Sequence, residues 1–584
     1  MDRHDVARAL RELGDLLEVD GESAFKVRAY RVAADRIAAL AEPLDELARQ
    51  RRLGEIPGVG PAITQKIESL LTEGRIPLLD RLRAKYPAGT AALLRVPELG
   101  PRSVAQLVEA GIDTVEALEE AAANGSLGRL KGFGPKKVEA VLRGIEQQRR
   151  HGASKPLAEA LPIAEEILGH VEEDPAVHRA SIAGAVRRWE ESVEGIELLA
   201  ATNDPKRTLE WFTRFPAVER ILEQTTSTCT VQLHDGTRVT LVTTPQEGWA
   251  PALLLHTGPR RHLELVCDRA ERLGLEVAET GLFGSDGRRL DPPDEAALYA
   301  DLGMQPVPPE LRHDDQAFAD AHHGELPALL TEDDIRGMTH CHTVYSDGKH
   351  SILEMAIAAR HLGFEYLTIT DHSQTSHYAR GLTPDRLREQ WDEIARVQEE
   401  VPEVRLLRGS EVDVLADGSL DFPDEILEQL DVVIGSIHQR HGLDEDGQTR
   451  RLVRALSHPL LSWIGHPTGR LVGSRDPYPL RMEEVFEAAL ASGKAMEVNG
   501  TPHRLDLSGA HVRLAVRMGV KLVVSTDAHS TLGMKALRYG VATARRGRAT
   551  SADVLNTLPA DGFLAALRGG RWHHETTGAV PAVD

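Results

Sequence analysis

The chain has 584 residues, too many for a single hydrophobic core, so we expect several domains. Its content of 41% hydrophobic and 27% charged residues is ordinary for a soluble protein, and it has no run of about 18 apolar residues and no apolar leader after Met1. These features argue against a membrane or secreted protein and predict a cytoplasmic one. Three scattered cysteines are too few for a disulfide framework or a cysteine zinc site: Cys229, Cys267 and Cys341.

The net charge of −22 argues at first against nucleic acid as a partner, but the charge is unevenly distributed. Residues 51 to 150 carry sixteen Lys and Arg against twelve Asp and Glu, a net charge of +4. The first fifty residues carry −3, and residues 151 to 584 therefore carry −23. A mildly basic segment is thus joined to a strongly acidic one, and bound metal ions would neutralise part of that acidity.

The first fifty residues have the spacing of amphipathic helices, with one apolar stripe formed by Val6, Leu10, Leu13 and Leu17. Three related turns follow, and they read I-P-G-V-G-P (56–61), V-P-E-L-G-P (96–101) and L-K-G-F-G-P-K-K (130–137). Each turn joins the apolar end of one helix to a new helix, and its final proline suits the first helical turn.

These turns resemble helix-hairpin-helix motifs, most clearly the first and third, because the second has Glu98 in place of the first glycine. Such a turn exposes backbone N–H groups at a helix N-terminus, where a phosphate binds without any base being read. The resemblance implies duplex binding that is indifferent to sequence and weakened by salt. The alternative, helix packing with no ligand, stays open, above all for the second turn. Candidate DNA-contact residues are Gly58, Gly60, Lys66, Gly100, Gly132, Gly134, Lys136 and Lys137.

The last third of the chain alternates short apolar runs with helical segments. Runs such as 367–370, 432–434 and 522–524 are rich in β-branched residues and predict buried parallel strands. Segments between them, such as 351–362 and 384–400, have helical spacing. About seven such repeats over roughly 240 residues predict a closed or nearly closed α/β barrel, in which the carboxyl ends of the strands converge on one face.

Nine histidines and carboxylates lie at or just past the predicted strand ends: His340, His342, Asp347, His372, Glu411, His438, His466, Asp527 and His529. Six imidazoles and three carboxylates suit borderline divalent metals such as Zn or Mn, and a carboxylate can bridge two ions. A single histidine near a strand end is more often a satisfied polar residue than a ligand. Nine such residues on one face predict a metal centre.

These motifs resemble those of a PHP (polymerase and histidinol phosphatase) domain, whose trinuclear site uses nine ligands at these positions. The resemblance implies three ligand groups: His340, His342, Glu411 and Asp527; Glu411, His438 and His466; and Asp347, His372 and His529. The implied reaction is phosphoester hydrolysis. The family's Asp-Leu before His-x-His is replaced here by Met338-Thr339, which implies the loss of a supporting hydrogen bond and not of a ligand.

Hairpins, a palm-like middle and a PHP barrel, in this order, resemble bacterial family X DNA polymerases along essentially the whole chain. The implied architecture is multidomain: a helical helix-hairpin-helix region, an α+β palm and thumb, and a distorted (β/α)7 PHP barrel. The implied domains are an N-terminal helical domain with the first hairpin (1–80), a fingers-like domain with the second and third hairpins (81–152), a palm-like domain (153–245), a thumb-like domain (246–312), a linker (313–333) and the PHP domain (334–575).

The palm departs from that family at its metal ligands. The family segment begins Gly-Ser, continues Arg-Arg and ends in Asp-x-Asp, whose aspartates hold two Mg ions. In the corresponding segment 184–199 the arginines are kept, the serine is replaced, and neither aspartate is present; the third aspartate position and the two aromatics of a nucleotide-binding element (255–259) are lost as well. The residues at these positions are Ala185, Arg187, Arg188, Gly195, Glu197 and Thr240.

With one of three carboxylates left, we predict that templated nucleotide addition is lost or very weak and that Mg is not bound in the palm. Rescue by Glu190, Glu191 or Glu194 is the alternative, although Glu194 would lie on the opposite face of a strand that carries Glu197.

The predicted function is metal-dependent DNA repair: the barrel, with two or three Mn or Zn ions, acts as a phosphodiesterase and 3′-5′ exonuclease that processes DNA ends. The expected partner is gapped, nicked or 3′-recessed duplex DNA, bound by a nucleoid-associated monomer. Candidate catalytic phosphate contacts on barrel loops are Arg470, Arg380 and Arg504. The alternatives are a gap-filling polymerase with a proofreading barrel, a small-molecule phosphatase and a DNA-end binding protein.

Overall fold

The computed structural model describes residues 3–38, 44–56, 59–87, 89–94, 96, 99–152 and 154–569. The described chain forms two compact units. The first runs up to Ser154 and also includes Pro216–Glu219 and Leu233–Thr237, and the second contains the remaining described residues. Within the described residues, no helix combines the length and apolar content needed to cross a membrane.

Up to Ser154 the first unit is helical. Its helices are α1 (Arg3–Val19), α2 (Ala24–Ala38), α3 (Leu44–Arg49), α4 (Pro61–Glu73), α5 (Pro77–Lys85), α6 (Thr90–Leu93), α7 (Pro101–Glu109), α8 (Val115–Ala123) and α9 (Pro135–Gly152). The predicted stripe on α1 is buried in the core, and α4, α7 and α9 each begin at the predicted proline.

The second unit begins with an α+β region that contains a five-stranded and a three-stranded sheet. In the five-stranded sheet the order is β2-β4-β7-β6-β5, with β4 and β7 parallel. The elements are β1 (Lys155–Pro156), α10 (Leu157–Glu172), β2 (Val177–Ala183), α11 (Gly184–Arg187), β3 (Ser192–Val193), β4 (Ile196–Thr202), α12 (Pro205–Phe212), β5 (Val218–Gln224), β6 (Thr228–Leu233), β7 (Arg238–Thr244), α13 (Trp249–Thr257), α14 (Arg260–Arg272), β8 (Leu275–Ala278), β9 (Gly281–Gly284), β10 (Arg289–Leu290), α15 (Glu295–Asp301) and α16 (Asp315–His323).

The rest of the second unit confirms the predicted (β/α)7 barrel. Seven parallel strands lie side by side in chain order, and a backbone bridge between Cys341 and Ala528 joins the chain just after the first strand to the chain just after the last. The elements are β11 (Gly337–Met338), α17 (Ile352–His361), β12 (Tyr366–Ile369), α18 (Pro384–Glu400), β13 (Arg405–Asp413), α19 (Asp424–Leu427), β14 (Val432–Ser436), α20 (Glu445–Leu456), β15 (Trp463–Ile464), α21 (Met482–Ser492), β16 (Ala495–Asn499), α22 (Gly509–Met518), β17 (Leu522–Ser525), α23 (Leu537–Arg546) and α24 (Ala560–Gly569).

The inner face of the barrel changes from apolar to polar along its strands. Alternate residues of a strand share a face, so on β17 Val523 and Ser525 lie on one side, and Asp527 follows in the turn just after the strand. Val523 belongs to an apolar cluster with Trp463 and with Phe563 of α24, whereas Asp527 belongs to the polar end. Apolar packing at one end of the barrel holds the strands together, so the residues at the carboxyl ends are available for a functional site.

Candidate metal centre

The nine predicted ligands meet at the carboxyl ends of the barrel strands, around the buried carboxylate of Glu411. Glu411 Oε2 lies 2.9 Å from His372 Nδ1, 3.5 Å from His342 Nε2 and 3.6 Å from His340 Nε2. Its other oxygen, Oε1, lies 2.8 Å from His466 Nε2 and 3.2 Å from His438 Nε2. One carboxylate therefore has imidazoles on both sides, which is the arrangement of a bridging ligand.

The two aspartates complete the group on the side of Glu411 Oε2. Asp527 Oδ1 lies 3.1 Å from His342 Nε2 and 3.6 Å from His340 Nε2. Asp347 Oδ1 lies 3.3 Å from His529 Nε2 and 3.6 Å from His372 Nε2. The side chains of Asp347 and His529 are partly exposed, whereas those of the other seven ligands are buried, so the centre opens to solvent on the side of these two residues.

Turns directly after the strands aim two of the ligands inward. His466 follows β15 with φ 27°, and Asp527 follows β17 with φ 49°. Both values lie in the left-handed region that residues other than glycine seldom adopt, and such strain is concentrated at functional sites. At these two positions the backbone adopts an unfavourable conformation, and that conformation points the side chain toward the other ligands.

Two carboxylates that the sequence reasoning missed hold ligand imidazoles from behind. His340 Nδ1 donates to Glu497 Oε1 at 2.6 Å, and His438 Nδ1 donates to Asp413 Oδ1 at 2.6 Å. Each hydrogen bond fixes the tautomer that leaves Nε2 free to face Glu411. Asp413 lies two residues after Glu411 on β13, and Glu497 is a buried acid in the apolar strand β16, so a search for acids within the predicted buried strands could have found both.

A third missed carboxylate, Asp371, orders the loop after His342. Its oxygens accept hydrogen bonds from the backbone and hydroxyl of Thr343 at 2.8 and 2.7 Å and from Gln390 Nε2 at 2.6 Å. Because Asp371 is fully buried and directly precedes His372, it links the loops of two ligands.

The charges of the cluster are mutually stabilising. Burial opposes the ionisation of Glu411, but His438, His372 and His340 outweigh it and hold the pKa of this carboxyl well below its usual range. Burial lowers the pKa of His342 to about 4, with help from His529 and His372. Glu411 is therefore ionised at neutral pH, and His342 is neutral with a lone pair available for a ligand bond.

Several buried polar atoms of this cluster have no hydrogen-bond partner among the described residues. They are His340 Nε2, both ring nitrogens of His342, His372 Nδ1, Glu411 Oε2, His466 Nδ1 and Asp527 Oδ1. Leaving such atoms unpaired costs about 1–3 kcal/mol each, and a divalent cation would satisfy several of them at once. Three groups have ligand atoms close enough for one ion: His342, Asp347, His372 and His529; His340, His342 and Asp527; and His372, Glu411 and His438. The donor set fits a metal centre.

Replacing Glu497 by glutamine is expected to weaken metal binding by about 10- to 100-fold, because the charged acceptor of the His340 Nδ1 proton becomes a neutral amide oxygen and His340 becomes a weaker ligand. Titration calorimetry with Mn or Zn measures the effect. Glu399→Gln, on the exposed face of α18, is the matched control and should bind metal as the wild type does. An unchanged dissociation constant in Glu497→Gln would contradict this role.

The three predicted phosphate-binding arginines lie in different settings. Arg504 Nε lies 3.6 Å from Asp527 Oδ2, at the edge of the centre. Arg470 is occupied elsewhere: Nη1 contacts Glu191 of the α+β region at 2.8 Å, and the same guanidinium donates to the backbone carbonyls of Arg504 and Leu505. Arg380 is exposed, in the loop that follows His372. Phosphate contact by these residues stays a prediction.

The three hairpin turns share one backbone pattern. The residue before each helix is a glycine, and an i to i+3 hydrogen bond joins Ile56 to Val59, Val96 to Leu99 and Leu130 to Phe133. At α4 and α7 the N-cap glycines Gly60 and Gly100 provide no side-chain cap, so N–H groups at both helix N-termini are left for another acceptor. The prediction for Gly58 lies outside the described residues, as does Glu98.

The three hairpin lysines differ in the hydrogen bonds and the exposure of their side chains. Lys66 Nζ donates to the carbonyl of Ala62 at 3.1 Å, and Lys137 Nζ donates to Ser103 Oγ at 2.8 Å. Lys136 is exposed on the first turn of α9, two residues after Gly134. Gly132, with φ 89°, adopts a left-handed conformation that a side chain would disfavour.

The three positions that correspond to the family's metal-binding aspartates lie close together at the five-stranded sheet. The parallel register of β4 and β7 places Glu197 opposite Thr240, and Gly195 lies two residues before Glu197. The hydroxyl of Thr240 bonds Thr230 at 2.9 Å, and burial raises the pKa of Glu197. The two neighbouring acids are already paired, Glu190 with Arg188 at 2.7 Å and Glu191 with Arg470.

The two arginines of this segment are held inside the fold. Arg187 Nη1 donates to Thr257 Oγ1 at 2.6 Å, and Arg188 donates to the Thr257 carbonyl. Ala185 lies beside them in α11.

One known protein is similar to this chain along almost its whole length. It is 33% identical to the DNA polymerase/3′-5′ exonuclease PolX of Bacillus subtilis (strain 168), over 95% of this chain and 97% of that protein. The chain belongs to the PolX family. The resemblance to bacterial family X DNA polymerases is thereby confirmed.

Domain families match four parts of this PolX chain. They are a helix-hairpin-helix domain (residues 1–76), a SAM-like helix-hairpin-helix tandem (91–147), a DNA polymerase beta thumb (252–313) and a PHP domain (339–500). The predicted hairpins, thumb and PHP barrel are confirmed.

The PHP region of this PolX chain is also similar to shorter proteins. It is 29% identical to a probable phosphatase of Thermoanaerobacter sp. (strain X514), over 38% of this chain and 89% of that protein. A probable phosphatase of Caldanaerobacter subterraneus is 30% identical over 33% of this chain and 75% of its own length. The similarity to these two proteins covers 38% and 33% of this PolX chain.

Proposed function

We propose that this PolX protein is a metal-dependent phosphodiesterase that removes nucleotides from 3′ ends of DNA during repair. The position of the Glu411 carboxylate carries the proposal, because imidazoles contact both of its oxygens and several buried ligand atoms of the cluster have no hydrogen-bond partner. Such a set is suited to two or more divalent ions and serves no evident structural purpose.

The proposed ions, two or three of Mn or Zn, are assigned to the ligand groups that the PHP resemblance implies, with Glu411 shared between two of them. Bound ions of this kind lower the pKa of a coordinated water and stabilise the attacking and leaving oxygens at phosphorus. Glu411 would hold two of the ions, because its two oxygens face different imidazoles. The phosphodiester enters beside the partly exposed Asp347 and His529, and Arg504, which lies beside Asp527, contacts a phosphate oxygen.

DNA is proposed to be held by the hairpins. Free N–H groups beside Gly60 and Gly100, together with Lys136, suit phosphate contacts that do not depend on base sequence. Binding of this kind weakens steeply as salt rises. Gapped, nicked or 3′-recessed duplexes, each of which has a 3′ end beside a duplex, are the proposed substrates.

Templated synthesis is proposed to be lost or very weak. Glu197 is one carboxylate beside a glycine and a threonine, and Glu190 and Glu191 are committed to Arg188 and Arg470. Phosphoryl transfer needs metal ions to neutralise developing charge, and one carboxylate gives them little to bind.

Hydrolysis of small phosphate esters is the competing function, favoured by the similarity of the barrel to probable phosphatases. With Mn added, we expect a 3′-recessed duplex to be hydrolysed with a kcat/KM at least about 100-fold above that of a nucleoside monophosphate, because binding of the remote duplex contributes to the transition state. The measurement is release of mononucleotide against release of inorganic phosphate. Preference for the monophosphate would refute the nuclease and support the phosphatase.

A further inference from the structure

We propose that Tyr378 is a stacking platform for the terminal nucleobase of the strand that the metal centre cleaves. The proposal rests on the nuclease function and names the part of the substrate that the mouth of the centre recognises. It assigns a binding role to a residue that is not among the nine ligands.

Tyr378 is unusually placed for an aromatic residue. Its side chain is 67% exposed, the highest value among the large hydrophobic residues that are exposed in the described chain. Its ring centroid lies 6.1 Å from that of His372 and 6.2 Å from that of His438. These two imidazoles contact opposite oxygens of Glu411, so the tyrosine lies beside ligands on both sides of that carboxylate. An exposed aromatic ring in this place suits a partner with a flat π face.

The loop that carries Tyr378 is firmly attached to the centre. Ser376 Oγ donates to Asp413 at 3.0 Å, and Asp413 is the carboxylate that holds His438. On the other side of the tyrosine, Ala379 is buried and Leu382 N donates to the carbonyl of His372 at 2.8 Å. The ring therefore projects from a pre-ordered loop, which limits the entropy lost when a base stacks on it.

Other exposed apolar side chains follow the ligands in the same way. Leu532, 65% exposed, lies three residues after His529, and Val344, 45% exposed, lies two residues after His342. A nucleobase and its deoxyribose offer apolar surface to such side chains, whereas an inorganic phosphate does not. The chemical class favoured at this mouth is thus a nucleotide at the end of a DNA strand.

The test compares two 3′-recessed duplexes that differ only at the 3′-terminal nucleotide of the recessed strand, which carries either a base or an abasic tetrahydrofuran. We expect the wild type to release the base-bearing nucleotide about 5- to 150-fold faster, the range that stacking of one base provides. Tyr378→Ala should lose this preference, because it should release the base-bearing nucleotide more slowly than the wild type and the abasic nucleotide at the same rate. Tyr378→Phe, which keeps the ring, should retain it.

A fluorescent base tests stacking without hydrolysis. A 3′-terminal 2-aminopurine should be quenched when the wild type or Tyr378→Phe binds the duplex, and less so with Tyr378→Ala. Leu362→Ala, which removes an exposed side chain at the end of α17, is the control and should behave as the wild type does.

Three results with the variants would overturn the platform. They are an unchanged base preference in Tyr378→Ala, equal loss in Tyr378→Phe and Tyr378→Ala, which would assign the effect to the hydroxyl, and equal quenching in all variants. A wild type that hydrolyses neither duplex would refute the proposed nuclease and the platform together. Hydrolysis of both duplexes at equal rates would refute the platform alone.

Discussion

Replacing Glu411 by glutamine is expected to lower DNA hydrolysis by about 10³-fold or more, because the change removes the one group that reaches both sides of the centre. Glutamine keeps the size of the side chain but offers a neutral oxygen and an NH₂ group, and the NH₂ group would point at imidazoles. His438 and His466 would then lose the charge that they face at 3.2 and 2.8 Å. The measurement is the rate of nucleotide release in Mn, together with the number of ions bound per chain.

The control for Glu411→Gln is again Glu399→Gln on the exposed face of α18. Both variants should keep the circular dichroism and melting behaviour of a folded protein, so that a lost rate can be assigned to chemistry. Full activity in Glu411→Gln, or loss of activity with all ions still bound, would refute the bridging role.

We expect the palm to extend a primer at least about 10³-fold more slowly than a family member with three carboxylates. Gly195 offers no ligand atom, and the Thr240 hydroxyl is engaged with Thr230. Burial raises the pKa of Glu197, so this carboxyl is less readily ionised than an exposed one. The measurement is extension of a primer in a gapped duplex with Mg and deoxynucleotides, made in the His340→Ala background so that hydrolysis cannot hide synthesis.

The matched variant for the palm is Glu197→Gln in the same background. If the palm is inactive, neither protein extends the primer. Extension that Glu197→Gln abolishes would show that a single carboxylate suffices, and the protein would then be a gap-filling polymerase with a hydrolytic barrel.

The strand-end histidines could be located from the sequence because of the barrel itself. Apolar runs mark the parallel strands, and the carboxyl ends of such strands meet on one face whatever their separation along the chain. His340 and Asp527 are thus brought within 3.6 Å of each other although 187 positions separate them. The order of the strands also followed, since neighbours in sequence are neighbours in this barrel.

The groups that support the ligands could not be found by the same reasoning. Glu497 lies within a strand and not at its end, and its bond to His340 spans 157 positions. The loop after the ligand His466 carries Arg470, and this position alone predicts a phosphate contact. Its partner Glu191 is 279 positions away, so the local sequence gives no sign of the ion pair. Side-chain pairs between distant elements depend on packing, which local sequence does not encode.

The length of one labelled strand tests the account most directly. A 5′-labelled primer in a gapped duplex is incubated with the wild type, Mn and all four deoxynucleotides, so that synthesis and hydrolysis compete for the same 3′ end. The account predicts that the primer becomes shorter one nucleotide at a time, and that its length does not change with His340→Ala. A primer that becomes longer, or that shortens equally with His340→Ala, would contradict it.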